Sequence, residues 1–252
     1  MTNPADMTRL LPVLCAAALA ACNPNYPYPT ETFTTPTGNT VTVAMIHHGS
    51  IALDYKGFHI QIDPVGRMGD QTIDYSCFPK ADCILITHEH GDHLDAATID
   101  ALSKNGTRLL LNAASRDKIE RGEAIANGET VQVGPVGITA VPAYNITEDH
   151  LKFHPKGNGN GYILDFDGLR IYVSGDTEDI DEMESFGPID VAFLSANQPY
   201  TMTTTQCVEA AMTLQPKVLI PYHLSDTPVQ EIKNVLDTND SGIKVLLFEE
   251  LR

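Results

Sequence analysis

One short segment concentrates side chains that bind metal ions, because residues 88–93 read His-Glu-His-Gly-Asp-His. It directly follows residues 83–87, a continuous apolar run typical of a strand buried on both faces. Imidazole nitrogen and carboxylate oxygen together suit zinc, manganese or iron. Gly91 is expected to let the loop turn sharply. The predicted ligands are His88 and His90 for one ion, and Asp92 and His93 for a second.

Two later apolar runs also end in a candidate ligand. Residues 169–174 lead into Gly-Asp-Thr, which contains Asp176, and residues 218–220 lead into Pro-Tyr-His, which ends at His223. A carboxylate between two cations can bridge them, so Asp176 is predicted to bridge and His223 to complete the second site. Taken singly, each segment would be an ordinary turn or surface histidine. In this order after the first motif, they indicate a dinuclear metal site.

The remaining pattern alternates strands and helices and predicts a layered α/β domain with mixed sheets. The first half is mostly strand, and the second half repeats that plan loosely. Strands are predicted over residues 41–46, 51–55, 58–62, 108–111, 130–133, 136–141, 162–166, 191–194 and 245–248, and helices over residues 95–104, 204–214 and 228–236.

The series H-x-H-x-D-H, G-D-T and P-x-H resembles the metallo-β-lactamase fold superfamily, and within it the lactonase- and phosphodiesterase-like metal-dependent hydrolases. The resemblance extends from about Val41 to the C-terminus. It implies an αββα sandwich of two mixed β-sheets with flanking helices and the metals at one sheet edge. Two divalent ions, zinc in the first instance and manganese or iron as alternatives, would activate a water molecule against an ester, lactone or phosphodiester bond. Asp92 and Asp176 are the candidates for holding that water and moving its proton.

One departure from this superfamily concerns the third histidine of the first metal. Relatives carry it in a segment like Pro-Ala-x-His, whereas this chain has Pro-Ala-Tyr-Asn, ending at Asn145. His154 is predicted to supply the missing ligand, with His150 as the alternative; otherwise the first metal is held weakly. A different role for both histidines is substrate binding, with Lys152 and Lys156 meeting an anionic group.

For several residues near these motifs, sequence alone leaves the role open. His48 is a candidate catalytic residue that donates a proton or contacts substrate, and a hydrogen-bonded structural role is equally open. Asp63 either orients a ligand imidazole or caps a turn. His59 alternates within a strand and is expected to be structural. Residues 198–202 either line the substrate pocket or pack in the core.

Charge and motif content narrow the functional classes. The chain has 16 basic and 33 acidic residues, a formal net charge of −17, which argues against a nucleic-acid partner. It has no G-x-S-x-G motif of a serine hydrolase. The prediction is therefore a metal-dependent hydrolase of a small molecule. The alternative is a non-catalytic metal-binding or scaffold protein that retains the fold, which Asn145 favours.

The N-terminus reads as an export signal. Residues 10–21 are apolar but too few to span a bilayer, and they lead into Cys22 as in a bacterial lipobox. We expect a signal peptide over residues 1–22, a tether over residues 23–40 and the hydrolase domain over residues 41–252. A lipid on Cys22 would be the only membrane contact and would hold the protein outside the cytoplasm. Unchanged membrane binding of a Cys22→Ser chain would contradict this.

Two cysteines of the predicted domain have an open pairing. Cys77 and Cys83 could form a disulfide in an oxidising compartment. The alternative is that they are small buried hydrophobic residues.

Overall fold

This computed structural model describes residues 26–252. The N-terminal part of this range forms the first β-sheet. In chain order the strands are β1 (Thr30–Thr34), β2 (Thr40–His47), β3 (Ser50–Tyr55), β4 (Phe58–Ile62), β5 (Arg67–Met68), β6 (Gln71–Thr72), β7 (Cys83–Ile86), β8 (Arg108–Leu111) and β9 (Glu123–Ala124). β5 and β6 form a separate hairpin, and the other strands form one sheet in the order β1-β2-β3-β4-β7-β8-β9. Neighbours are antiparallel up to β4 and parallel from β4 onward. The carboxyl ends of β2, β4, β7 and β8 therefore lie at one edge of the sheet.

The second sheet repeats this plan with the remaining strands. They are β10 (Thr130–Val133), β11 (Val136–Ala143), β12 (Gly159–Phe166), β13 (Leu169–Val173), β14 (Val191–Ser195), β15 (Val218–Tyr222) and β16 (Lys244–Val245), paired in chain order. Neighbours are antiparallel up to β13 and parallel from β13 onward. The carboxyl ends of β11, β13, β14 and β15 therefore share one edge.

The two sheets pack face to face around the largest apolar cluster. Val43 and Leu85 of the first sheet and Ile138 and Phe193 of the second are among its fully or almost fully buried members. Each such side chain contributes roughly 1.5–3 kcal/mol when it leaves water. Tyr162 also crosses between the sheets, because its hydroxyl donates to the Ile86 carbonyl at 2.7 Å. This contact fixes the end of β7, from which the metal-ligand motif departs.

Helices cover the outer faces of both sheets. They are α1 (Ala96–Leu102), α2 (Ala113–Ile119), α3 (Thr204–Leu214) and α4 (Val229–Thr238). α1 packs on the first sheet, and α3 and α4 pack on the second. Asp95 begins α1 by accepting hydrogen bonds from the Ala97 and Thr98 amides. None of the helices in the described residues has the length and apolar character that crossing a membrane requires.

This architecture confirms the predicted αββα sandwich, and most predicted strands are present. The exceptions have local causes. α2 was not predicted because it buries only Ser115, so its sequence lacks an apolar period. The strand predicted over residues 245–248 is paired only at Lys244–Val245.

The structure shortens the predicted tether and shows two of the cysteines as free thiols. β1 lies within the predicted tether and pairs with β2, so residues 30–40 belong to the first sheet and not to a tether. The predicted signal peptide and Cys22 lie outside the described residues. Cys77 is exposed, Cys83 is buried, and both are free thiols.

Candidate metal centre

The loops at the carboxyl ends of the strands bring all of the predicted ligands together. His48 lies in the β2–β3 turn, and the segment after β7 supplies four candidate ligands. The second sheet supplies the others from three separate loops. The converging side chains are His48, His88, His90, Asp92, His93, His154, Asp176 and His223.

The first ligand group consists of three histidines. His88, His90 and His154 each direct one ring nitrogen toward a common point, with these atoms all within 4.8 Å of one another. His88 Nε2 lies 3.0 Å from His90 Nδ1, and the His154 ring lies 5.0 Å from both other rings. Three imidazoles converging in this way match the donor set of a transition-metal ion.

The second ligand group combines two histidines with a carboxylate. Asp92 Oδ2 lies 3.6 Å from His48 Nε2 and 3.5 Å from His223 Nε2. The His48 and His223 rings are 3.7 Å apart at their centroids. The predicted catalytic residue His48 thus lies among the ligand atoms of this group.

Asp176 and His93 lie between the two groups. Asp176 Oδ2 is 3.2 Å from His154 Nε2 in the first group and 3.3 Å from His223 Nε2 in the second. Asp176 Oδ1 is 3.4 Å from His93 Nε2. Both residues also form a third potential ligand set with His88. A carboxylate in this position can contact two cations at once.

The donor atoms of this centre fit a bound cation. Within the described residues, several buried polar atoms here have no hydrogen-bond partner: His93 Nε2, His154 Nε2, Asp176 Oδ1 and both ring nitrogens of His223. A buried polar atom left in this state costs about 1–3 kcal/mol. Atoms of the types that bind zinc, iron or manganese would be satisfied by such an ion.

His93 is held rigidly from behind. Its Nδ1 lies 2.7 Å from Asp63 Oδ2, and Asp63 also accepts hydrogen bonds from the amide and hydroxyl of Thr87. Gly49 packs so closely that a β-carbon there would lie 2.8 Å from His93 Cε1. Sequence alone left open whether Asp63 orients a ligand imidazole or caps a turn. In the structure Asp63 contacts His93, so it has the contact expected of an orienting residue.

His154 is oriented by a backbone carbonyl. The Tyr200 carbonyl lies 3.0 Å from His154 Nδ1 and accepts a hydrogen bond of 2.7 Å from the Asn145 amide. With Nδ1 engaged in this way, Nε2 faces Asp176. Asn145 is fully buried and supports His154 from outside the ligand groups.

The other candidates from the same loop lie outside the ligand groups. Glu178 is fully buried and binds His150 Nδ1 at 3.0 Å together with the amides of residues 146 and 147. Lys156 pairs with Glu182 at 2.7 Å, and Lys152 lies over the Phe153 ring. Sequence reasoning overlooked Glu178, although it directly follows Gly-Asp-Thr.

His59, Gly91 and residues 198–202 also lie outside the ligand groups. His59 lies in β4 and pairs with Asp54 at 2.7 Å, which agrees with a structural role. Gly91 does not have a positive φ, so the prediction of a glycine-dependent turn was wrong. Within residues 198–202, Met202 is buried in an apolar cluster while Tyr200 is exposed.

The pKa shifts of most candidate ligands favour the protonation state in which the side chain can bind a metal ion. Burial lowers the pKa of His48 to about 4 and holds the pKa of His88 well below its ordinary value. Burial opposes ionisation of Asp92, but the nearby imidazoles of His223 and His48 outweigh that effect and lower its pKa. Burial also disfavours a charged His93, but Asp176 and Asp63 outweigh this and raise its pKa. His48 and His88 are thus held as neutral imidazoles and Asp92 as an ionised carboxylate, the forms that coordinate metal. His93, whose pKa is raised, would have to lose its Nε2 proton to bind a cation.

A sandwich of two mixed sheets with a histidine–aspartate centre at one edge defines the metallo-β-lactamase fold class. Residues 42–223 match the β-lactamase superfamily domain family. A UPF0173 metal-dependent hydrolase of Pyrococcus furiosus is 36% identical over 159 residues, covering 60% of this chain and 70% of that protein.

Solved structures give the same result. A protein from Parabacteroides distasonis, proposed to be a metal-dependent hydrolase, is 48% identical with a TM-score of 0.84, covering 89% of this chain and all of that one. A metallo-hydrolase from Ignicoccus hospitalis is 25% identical with a TM-score of 0.68, covering 89% of this chain and 97% of that one. The chain therefore belongs to the β-lactamase superfamily domain family, within the metallo-β-lactamase fold superfamily.

Proposed function

We propose that this protein is a dinuclear metal-dependent hydrolase that cleaves an ester, lactone or phosphodiester bond of a small molecule. The observation that carries the proposal is the position of Asp176. One carboxylate lies within 3.2 Å of His154 and within 3.3 Å of His223, which belong to different ligand groups. Two adjacent cation sites sharing one carboxylate are typical of two-metal hydrolytic centres.

The proposed ligands divide between the two cations. His88, His90 and His154 would hold the first, Asp92, His93 and His223 the second, and Asp176 both. When bound, such cations lower the pKa of a water molecule and polarise the oxygen that gains charge. Zinc suits this set of nitrogen and carboxylate ligands, and manganese and iron are the alternatives that metal analysis would distinguish.

Asp176 and Asp92 differ in exposure, which suits them to different roles in the reaction. The Asp176 side chain is 3% exposed, whereas that of Asp92 is 35% exposed. Asp176 is therefore suited to hold charge in the interior. Asp92 reaches solvent and can accept a proton from the attacking water and release it toward the leaving group. Asp63 and Tyr200 keep His93 and His154 in the orientation that this division requires.

The kind of substrate follows from charge and from the family. Relatives in the UPF0173 group are named metal-dependent hydrolases, which supports hydrolysis. A formal net charge of −17 repels polyanions, so a small molecule is favoured over nucleic acid.

Metal content and turnover test the proposal together. The full chain, purified in detergent without chelators, is expected to carry two transition-metal ions and to hydrolyse part of a panel of aryl esters, lactones and bis-aryl phosphodiesters. Chelation should abolish turnover, and added zinc, manganese or iron should restore it. Asp176→Asn should lose about 10³-fold in kcat/KM, which corresponds to roughly 4 kcal/mol. Full activity in that variant, or turnover that survives chelation, would contradict the mechanism.

The second candidate function is a metal-binding or scaffold protein without turnover. Asn145 favours it, because this residue stands where the superfamily pattern that this chain resembles places a histidine ligand. The position of His154 beside His88 and His90 supports the hydrolase instead, since a group of three imidazoles remains. Two bound ions with no turnover on any substrate of the panel would favour the scaffold.

A further inference from the structure

The imidazole of His48 is placed as a metal ligand is placed. Its Nε2 lies 3.6 Å from the same Asp92 oxygen that lies 3.5 Å from His223 Nε2. The residue is 4% exposed, so its ring faces this centre and not bulk water. We infer that His48 is a ligand of the second cation, which would then have one more protein ligand than Asp92, His93, His223 and Asp176 provide. This inference rests on the dinuclear site proposed above.

The backbone around His48 is arranged to hold this position. His48 and His223 are both left-handed, with φ of 50° and 55°. A left-handed conformation costs a residue other than glycine about 1–2 kcal/mol. The His223 amide donates to the His48 carbonyl at 3.2 Å, and the His48 amide donates to the Glu250 carbonyl at 3.1 Å. The two imidazoles are therefore fixed side by side by strained, mutually bonded backbone, as is common at functional sites.

The strand that leads into this turn is also irregular. The β2–β3 pairing shifts register between Met45 and His47, directly before His48. Bulges of this kind redirect a side chain at the end of a strand. Here the irregularity precedes the residue whose ring enters the ligand group.

The contacts of His48 favour a ligand over a proton donor. A general acid must be reprotonated in each cycle, through solvent or a hydrogen-bonded partner. His48 is buried, and its Nδ1 has no hydrogen-bond partner among residues 26–252. By contrast, Asp92 is partly exposed and can exchange protons with solvent.

This assignment makes the two metal sites unequal. The second cation would be surrounded by His48, Asp92, His93, Asp176 and His223, whereas the first would have three histidines and the shared Asp176. The first cation, with one protein ligand fewer, would have the more accessible coordination sphere. The first cation is therefore the one that the substrate would contact.

The variant His48→Gly tests this role without straining the turn. Glycine adopts positive φ without steric strain, so the metal-free variant is expected to fold with a stability close to that of wild type. In the full chain titrated with zinc, the first ion should bind as in wild type. The second should bind at least 10- to 100-fold more weakly, because losing a residue that only supports a ligand already costs that much. The Co²⁺ absorption spectrum of the second site should change as well.

A neighbouring histidine provides the matched control. His47 is half-buried, lies outside all three ligand groups, and should retain both ions and the wild-type spectrum when changed to glutamine. His48→Asn is a second variant, since asparagine also tolerates positive φ but has no imidazole. This variant should also bind the second zinc ion more weakly than wild type.

The outcomes separate this inference from the dinuclear proposal. If wild type binds two ions and His48→Gly binds both with unchanged affinity, His48 is not a ligand, whatever happens to turnover. A metal-free His48→Gly chain that is less stable, with unchanged zinc binding, would show a structural role and also overturn the inference. If wild type binds fewer than two ions, the dinuclear proposal fails. The inference then fails too, unless His48→Gly removes the ion that remains.

Discussion

The two sheets supply their ligands to the metal centre in different ways. Apart from His48 in the β2–β3 turn, the first sheet delivers its candidate ligands His88, His90, Asp92 and His93 from one segment directly after β7. The second sheet delivers His154, Asp176 and His223 from loops that follow three different strands. The first set is compact along the chain, whereas the second is assembled only by the fold.

The contacts that hold the candidate ligands in place also differ between the two sets. His93 is held by Asp63 and Gly49 of its own sheet. His154 depends on the Tyr200 carbonyl, which lies after β14 and is itself held by Asn145, which follows β11. A compact motif therefore needs one well-placed strand, while the dispersed ligands need contacts between loops that are distant in sequence.

Gly49→Ala is expected to have the largest effect, and it tests whether the first-sheet motif is rigid. The new methyl group would lie 2.8 Å from His93 Cε1, and His93 is held by Asp63. Overpacking of this kind costs about 1–3 kcal/mol. Denaturant unfolding of the metal-free chain should show that loss, and zinc should bind the second site more weakly.

Gly91→Ala is the matched control, because it lies in the motif itself. A β-carbon at Gly91 would contact nothing within 4 Å, and its φ is not positive. Its stability and zinc affinity should equal those of wild type. Equal losses in both variants would mean that the motif tolerates no substitution, and no loss in Gly49→Ala would show that His93 can move.

Asn145→Ala is expected to have a smaller effect and tests the dependence of the second sheet on loop contacts. Without the Asn145 amide, the Tyr200 carbonyl loses its 2.7 Å donor and His154 loses its fixed acceptor. The first cation should bind about 10- to 100-fold more weakly, the usual cost of losing a residue that supports a ligand. Calorimetric zinc titration measures this.

The control for Asn145 is Asn234→Ala on the exposed side of α4, which should leave zinc binding unchanged. If Asn145→Ala bound both ions normally, the Tyr200 carbonyl and the backbone hydrogen bond from residue 145 would position His154 without the Asn145 side chain. The comparison between a self-supported and a loop-supported ligand set would then fail.

The features that sequence could predict are those set by local chain order, and those it missed depend on contacts made only in the folded protein. The apolar runs ending in His88, Asp176 and His223 were recognisable, because each ligand directly follows a buried strand. The Asp-Gly turn at residues 167–168 was also recognisable, since its positive φ values are those that a two-residue hairpin needs. The Tyr200 carbonyl could not be anticipated, because a backbone carbonyl carries no side-chain signal. The ligand-like position of His48 also depends on a backbone twist that no residue pattern specifies.

The smallest expected effect concerns the end of the sandwich opposite the metal centre. There Asp167, in the β12–β13 turn of the second sheet, accepts hydrogen bonds from the Tyr55 hydroxyl and from Lys56 Nζ in the first sheet. These contacts lower the pKa of Asp167 to about 2 from an ordinary value of 3.8. Because the folded-state pKa is the lower one, the stabilising contribution of Asp167 is complete at pH 5 and is lost as the pH falls through 2.

Asp167→Asn should therefore lower Tm by no more than a few degrees at pH 5 and by less at pH 2, where about half of the Asp167 carboxyl groups are protonated. Asp70→Asn, an exposed position outside this network, should change Tm at neither pH. Zinc binding should be unchanged in both variants, because the sheet contacts that form the metal centre lie at the other edge. A loss of zinc in Asp167→Asn would instead mean that the two ends of the sandwich are coupled, and that the dispersed ligands depend on the relative position of the two sheets as well as on their own loops.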